Sequence, residues 1–158
     1  MDNITQTIVK LGVVAALYVA LSLLIEPLSF SQIQLRLGET LMVLPFINKK
    51  YTISLTIGCL IVNLFSPLGI IDVIFGVLAT LSACLLISYC RNIFLVLIPA
   101  TLINAVVVGF ELNLVFKLPL FLTMLTVGIG EFLAVLIGVL IFNILIKKDH
   151  PLVKLLQI

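Results

Sequence analysis

Four carboxylates, two amides and one guanidinium stand out in apolar surroundings: Glu39, Asp72, Glu111 and Glu131, Asn63 and Asn104, and Arg36. A charge at the centre of a membrane helix costs at least about 2.5–3.5 kcal/mol, so each such group needs a reason to be there. A carboxylate accepts two N–H bonds in one plane, and an amide both donates and accepts. The set suits a small ligand rich in hydrogen-bond donors, and its excess of acids over Arg36 disfavours an anion. Asn104 and Glu111 are seven residues apart and share a helix face. Glu131 follows Gly128 and Gly130, where another group can approach the backbone closely. Structural roles compete for the same residues. Asp72 and Glu39 stand where helix N-caps are expected. Asn63 and Asn104 suit interhelical hydrogen bonds, Arg36 suits a pair with Glu39 three residues on, and Glu26 suits the membrane interface. Glu131 lies deepest in its apolar run and has the weakest structural alternative.

The elements that carry these groups follow from composition. The chain has 158 residues, 63% hydrophobic and 10% charged, with a mean hydropathy of +1.39. Soluble domains are about 45–50% apolar and about 25% charged, so lipid is the solvent for this surface. Only helices or closed barrels satisfy their backbone in lipid, and these runs are too long and uniformly apolar for barrel strands. The pattern predicts an all-α, polytopic membrane protein: a six-helix bundle forming a single transmembrane domain over residues 1–158. Helices are expected at about 7–25, 39–47, 52–65, 70–90, 93–112 and 120–146. The second and third are too short to cross the hydrocarbon core alone. Residues 11–25 resemble a signal-peptide core, but no small-residue cleavage site follows and Glu26-Pro27 ends the run, so a retained helix is expected.

With the N-terminus placed inside, Lys10, Lys49, Lys50, Arg91, Lys147, Lys148 and Lys154 fall on the inner side, while Arg36 and Lys117 fall on the outer. The positive-inside rule then puts both termini in the cytoplasm. The acids and amides gather toward the outer side, as in a cavity opening outward. A net charge of +2 argues against a nucleic-acid partner. Cys59, Cys84 and Cys90 lack metal or disulfide spacing and are expected to be packing residues. His150, the single histidine, precedes Pro151 in an expected solvated tail. No P-loop, H-E-x-x-H or G-x-S-x-G occurs, so neither ATP hydrolysis, metalloprotease nor hydrolase chemistry is expected, and no cofactor or metal site. Gly12, Ala16 and Ala20 repeat every four residues on the first helix, a stripe that permits close helix–helix approach.

Several blocks together resemble the QueT family. They are Gln34-Leu35-Arg36-Leu37-Gly38-Glu39 running on to Leu44-Pro45-Phe46, Gly58 to Leu64 with Asn63, and Leu68-Gly69-Ile70-Ile71-Asp72 through Gly76 to Leu81. Asn104 to Glu111 and Val127-Gly128-Ile129-Gly130-Glu131 complete the series. The resemblance spans about residues 7–147. It implies a substrate-binding S-component of an energy-coupling factor (ECF) transporter, taking up a 7-deazaguanine precursor of queuosine. It also implies partners: a transmembrane coupling protein, on which Ala16-x-x-x-Ala20 would dock, and two cytoplasmic ATPases. On this analogy the loop 29–38 is a lid, and the docked protein topples to deliver its cargo. Glu131 and Glu111 would read ligand donors, Asn104 and Asn63 would read a carbonyl or ring nitrogen, and Arg36, Glu39 and Asp72 would form the rim. Phe30, Phe46, Phe75 and Phe110 are the candidates for stacking on the ligand. The alternative is a small oligomeric channel or secondary carrier whose acids line a cation path; a non-transporting scaffold leaves the outer polar cluster unexplained.

Overall fold

A computed structural model describes residues 3–24 and 36–157. Seven helices occupy them: α1 (Asn3–Leu24), α2 (Leu37–Ile47), α3 (Tyr51–Asn63), α4 (Ile70–Ile87), α5 (Ile93–Phe116), α6 (Leu120–Lys147) and α7 (Pro151–Leu156). No strand occurs among the described residues. Four helices are long and apolar enough to cross a membrane: α1, α4, α5 and α6. The second and third helices, α2 and α3, are the two expected to be too short to cross alone, and a seventh helix, α7, follows the expected six. The 13 residues of α3 rise only about 20 Å, against about 30 Å of hydrocarbon.

The short elements are accommodated by position. Packing runs α1 on α3, α3 on α4, α4 on α5, α5 on α6, α6 on α2 and α2 back on α1, so α2 closes a ring. Its first seven residues, Leu37–Val43, form a tight 3-10 helix, and Leu44–Ile47 continue as α-helix. Met42, Val43 and Leu44 are essentially inaccessible. Glycines open the room: a Cβ on Gly138 of α6 would collide with the Thr40 backbone oxygen of α2, and one on Gly58 would stand 2.8 Å from Tyr18 Cδ1.

The interior divides into two halves. Near the turns bearing Lys49, Lys50 and Arg91 it is apolar, filled by Leu44, Tyr51, Leu55, Ile87, Val96 and Val139. Thr52 and Ser54 are buried there as well, while the seven polar residues singled out in the sequence occupy the other half. Outward-facing Ile57, Leu78, Leu102 and Ile137 leave roughly half their surface for lipid.

Helix ends depart from expectation where local bonds decide them. The fifth helix runs on to Phe116, where Lys117 takes a left-handed φ of 57° and Asn113 donates to the Leu118 carbonyl at 2.5 Å. The fourth ends at Ile87, three residues early, and Asn92 restarts the chain by accepting from Phe94 N–H at 3.0 Å. His150 is not a bare tail residue: its Nδ1 accepts from Leu152 N–H at 3.2 Å and caps α7. Cys59 and Cys84 are buried packing residues, as expected, and Cys90 is half-buried.

Replacing Gly138 by alanine is expected to destabilise the bundle by about 1–3 kcal/mol through the forced separation of α2 and α6. Thermal unfolding in detergent checks this, with Gly12→Ala, which faces open space, expected to melt like the unchanged protein.

Candidate functional site

Each wall of the polar half is a helix face read at intervals of three or four residues. On α4, Asp72, Gly76 and Thr80 follow one another at intervals of four; on α5 the face is Asn104, Val108 and Glu111; on α6 it is Val127 and Glu131. The last residue of α3, Asn63, reaches the same interior, and Arg36 and Glu39 enter from the start of α2. All seven polar residues singled out in the sequence are buried, none more than 6% exposed. Arg36, Glu39, Asn104 and Glu131 line an enclosed cavity together with Gly76, Thr80, Val108 and Val127. Asn63, Asp72 and Glu111 adjoin it without lining it. The cavity holds about 10 Å³, room for about one water molecule.

The bonds around it are few. Asn104 Nδ2 donates to Glu131 Oε1 at 3.1 Å and to the Ala100 carbonyl at 3.0 Å. Glu39 Oε1 accepts a short hydrogen bond from the Tyr18 hydroxyl of α1. Arg36 Nη2 pairs with Asp72 Oδ2 at 3.5 Å. Asn63 Nδ2 donates to the Asp72 carbonyl at 2.9 Å and approaches Cys59 Sγ at 3.4 Å. Thr80 donates to the same sulfur at 3.2 Å. Acceptors are left over: Glu39 Oε2, Asp72 Oδ1, Asn63 Oδ1 and both Glu111 oxygens are buried without a hydrogen-bond partner. A buried acceptor without a donor costs about 1–3 kcal/mol, so the site is short of donors. A ligand that brings donors satisfies it.

Two structural roles anticipated from the sequence are not taken up. The N-cap of α4 is Gly69, with no side-chain cap bond, and Asp72 pairs with Arg36 instead of capping. The N-cap of α2 is Arg36, and the Glu39 side chain turns to Tyr18. Of the aromatic candidates, Phe46, Phe75 and Phe110 do not line the cavity. Phe75 and Phe110 lie 6.2 Å apart against each other, Phe46 packs on the apolar core, and the flat walls are Val108 and Val127. Glu26, Phe30, Gln34 and most of the 29–38 loop fall outside the described residues. Sequence reasoning missed Tyr18, Gly76, Thr80, Val108 and Val127. Four of them could have been found by stepping four residues along the helix faces from Asp72, Asn104 and Glu131; Tyr18 carried no signal. Among the described residues no group of three or more His, Cys, Asp or Glu side chains could hold a metal ion.

On the outside of α1, Gly12, Ala16 and Ala20 are all exposed. Tyr18 and Val14 take the inward face, so this chain does not use the small-residue stripe for its own packing.

Comparison with known proteins bears on the same residues. The family model described as QueT transporter matches residues 8–147. The chain is 34% identical over 160 residues to the "Queuosine precursor transporter QueT" of Lactococcus lactis subsp. cremoris (strain MG1363), covering 91% of this chain and 94% of that protein. The chain belongs to the QueT transporter family. It is therefore a membrane transport protein and not an enzyme. The QueT match encloses all seven buried polar residues and the whole of the cavity lining. No solved structure matches the chain.

Removing one partner of a buried ion pair leaves the other charge uncompensated, at about 3–5 kcal/mol. Arg36→Met is expected to lower stability by that amount, and Arg36→Met with Asp72→Asn to restore most of it. Unfolding of the two variants in detergent against the parent checks this.

Proposed function

We propose that this protein is the substrate-binding S-component of an ECF transporter, a single transmembrane domain that captures a 7-deazaguanine precursor of queuosine from outside the cell. It sits in the cell membrane with both termini in the cytoplasm, the arrangement its basic turns favour. A transmembrane coupling protein and two cytoplasmic ATPases supply the energy. The observation that carries this reading is the enclosed, acceptor-rich cavity bounded by Arg36, Glu39, Thr80, Asn104 and Glu131, in a chain whose relative is named for queuosine precursors. The pyrimidine edge of a deazaguanine presents ring N–H and amino donors side by side. Glu131, held by Asn104, accepts them, while the Arg36 guanidinium on the cavity wall donates to the carbonyl. Val108 and Val127 give the heterocycle two apolar faces in place of aromatic rings.

Pockets for small molecules enclose about 300–1,000 Å³, far more than the cavity does in this closed form. Capture therefore requires α2 to move away from α4, α5 and α6. The apolar half beyond the cavity keeps the path to the cytoplasm shut, which opposes a pore through the bundle. The exposed Gly12, Ala16 and Ala20 stripe then serves as the docking face for the coupling protein, and release follows docking.

Calorimetric titration of the purified protein with the aminomethyl and nitrile deazaguanines is expected to show binding that Glu131→Gln weakens by about 1.5–3 kcal/mol. Ala16→Leu combined with Ala20→Leu is expected to abolish uptake in cells while leaving that binding intact. Folded protein that binds neither deazaguanine overturns the substrate assignment, and loss of binding in the double variant overturns the docking role.

A further inference from the structure

Glu111 is the most isolated acid in the interior. It is fully buried, and neither of its oxygens has a donor. The charged groups that act on it are Asp72 of α4 and Arg36 at the start of α2. Asp72 gives Oδ2 to Arg36 and keeps Oδ1 without a donor. On α3, Asn63 spends its amide nitrogen on the Asp72 carbonyl, and its Oδ1 is likewise unpartnered. From α6, Glu131 is committed to Asn104, seven residues along α5 from Glu111. Lys117, at the end of α5, is exposed. Four acceptor oxygens from three helices are thus left beside one guanidinium.

Glu111 and Asp72 are two carboxylates against one guanidinium, which Glu39 and Glu131 draw on as well, so at least one negative charge is in excess. A buried charge without compensation costs several kcal/mol, so something positive must accompany it. A proton meets that need, and so does a ligand cation. An ammonium is the matching cation, since it carries three donors and no acceptor. The seven-residue step from Asn104 to Glu111 is about 10.5 Å along α5. That reach suits a bicyclic base with its pyrimidine edge at Glu131 and a short arm extending toward Glu111.

We propose that Glu111, Asp72 and Asn63 form a second subsite, specific for a primary ammonium on the arm of the substrate. Until the ammonium arrives, a single proton carried by the Glu111 carboxyl occupies the subsite. This rests on the reading of the neighbouring cavity as a deazaguanine site. On binding, the ammonium N–H groups bond to the Glu111, Asp72 and Asn63 oxygens, and the displaced proton passes to bulk water. The charge of the subsite is the same before and after. Binding of an ammonium ligand therefore releases one proton and tightens as pH rises, for as long as the empty subsite holds its proton and the amine stays charged. A neutral nitrile arm leaves the proton in place.

The test is calorimetry of the full chain with the aminomethyl and nitrile deazaguanines, over a range of pH and in buffers of different ionisation enthalpy. Affinity for the aminomethyl ligand is expected to rise about tenfold per pH unit, with about one proton released, and affinity for the nitrile to stay flat. Glu111→Gln is expected to weaken the aminomethyl ligand, abolish its pH dependence and leave the nitrile unchanged. The subsite is overturned if the unchanged protein binds both ligands without pH dependence, or if Glu111→Gln weakens both alike. If only the nitrile binds, the ammonium subsite falls and the deazaguanine cavity stands; if neither binds folded protein, both fall.

Discussion

Arg36 and Asp72 meet 3.5 Å apart in an interior that excludes water, and much of the bundle is arranged so that this pair can exist. A guanidinium at membrane depth is tolerable only beside an anion and out of contact with lipid. The ring of helices provides the second condition, because α2 is enclosed by α1 and α6 and both Arg36 and Glu39 are buried. The first condition fixes the register of α2 against α4, since Arg36 and Asp72 are placed by different helices. Glu39, one turn further along, is then directed at the cavity and at Tyr18.

Close approach makes the enclosure possible. Gly38 and Gly58 leave flat surfaces against Tyr18, from α2 and α3 respectively, and Gly138 lets the Thr40 carbonyl of α2 lie against α6. Tyr18 also joins the two surfaces on which the proposed function depends. Its hydroxyl holds Glu39 in the cavity wall, while its helix presents Gly12, Ala16 and Ala20 on the opposite face. In the proposed function, Tyr18 is the contact through which a change at the cavity would reach α1.

The apolar runs, the acids and amides within them and the small-residue stripe on α1 were legible in the sequence, because lipid makes each polar residue conspicuous; that the stripe faces outward was not. Partner choice was less legible. Asp72 stands where a cap belongs, and only the approach of Arg36 from a segment 36 residues away makes it an ion-pair residue. Glu39 was read as a cap or rim group for the same reason. Val108 and Val127 were hidden among many valines, and the aromatic rings expected to stack turned instead to each other or to the apolar core. The shortness of the second and third helices was legible from their length alone, whereas the final helix Pro151–Leu156 was not, because six residues carry too little periodicity to stand out from a tail.

The most direct test is a structure of the protein with a deazaguanine bound. The account predicts ligand density between Arg36, Glu39, Thr80, Asn104 and Glu131, with Val108 and Val127 against the two faces of the ring and α2 displaced from α6. Density elsewhere, such as in the lipid-facing groove between Leu102 and Phe132, with the polar cavity still closed, would contradict it.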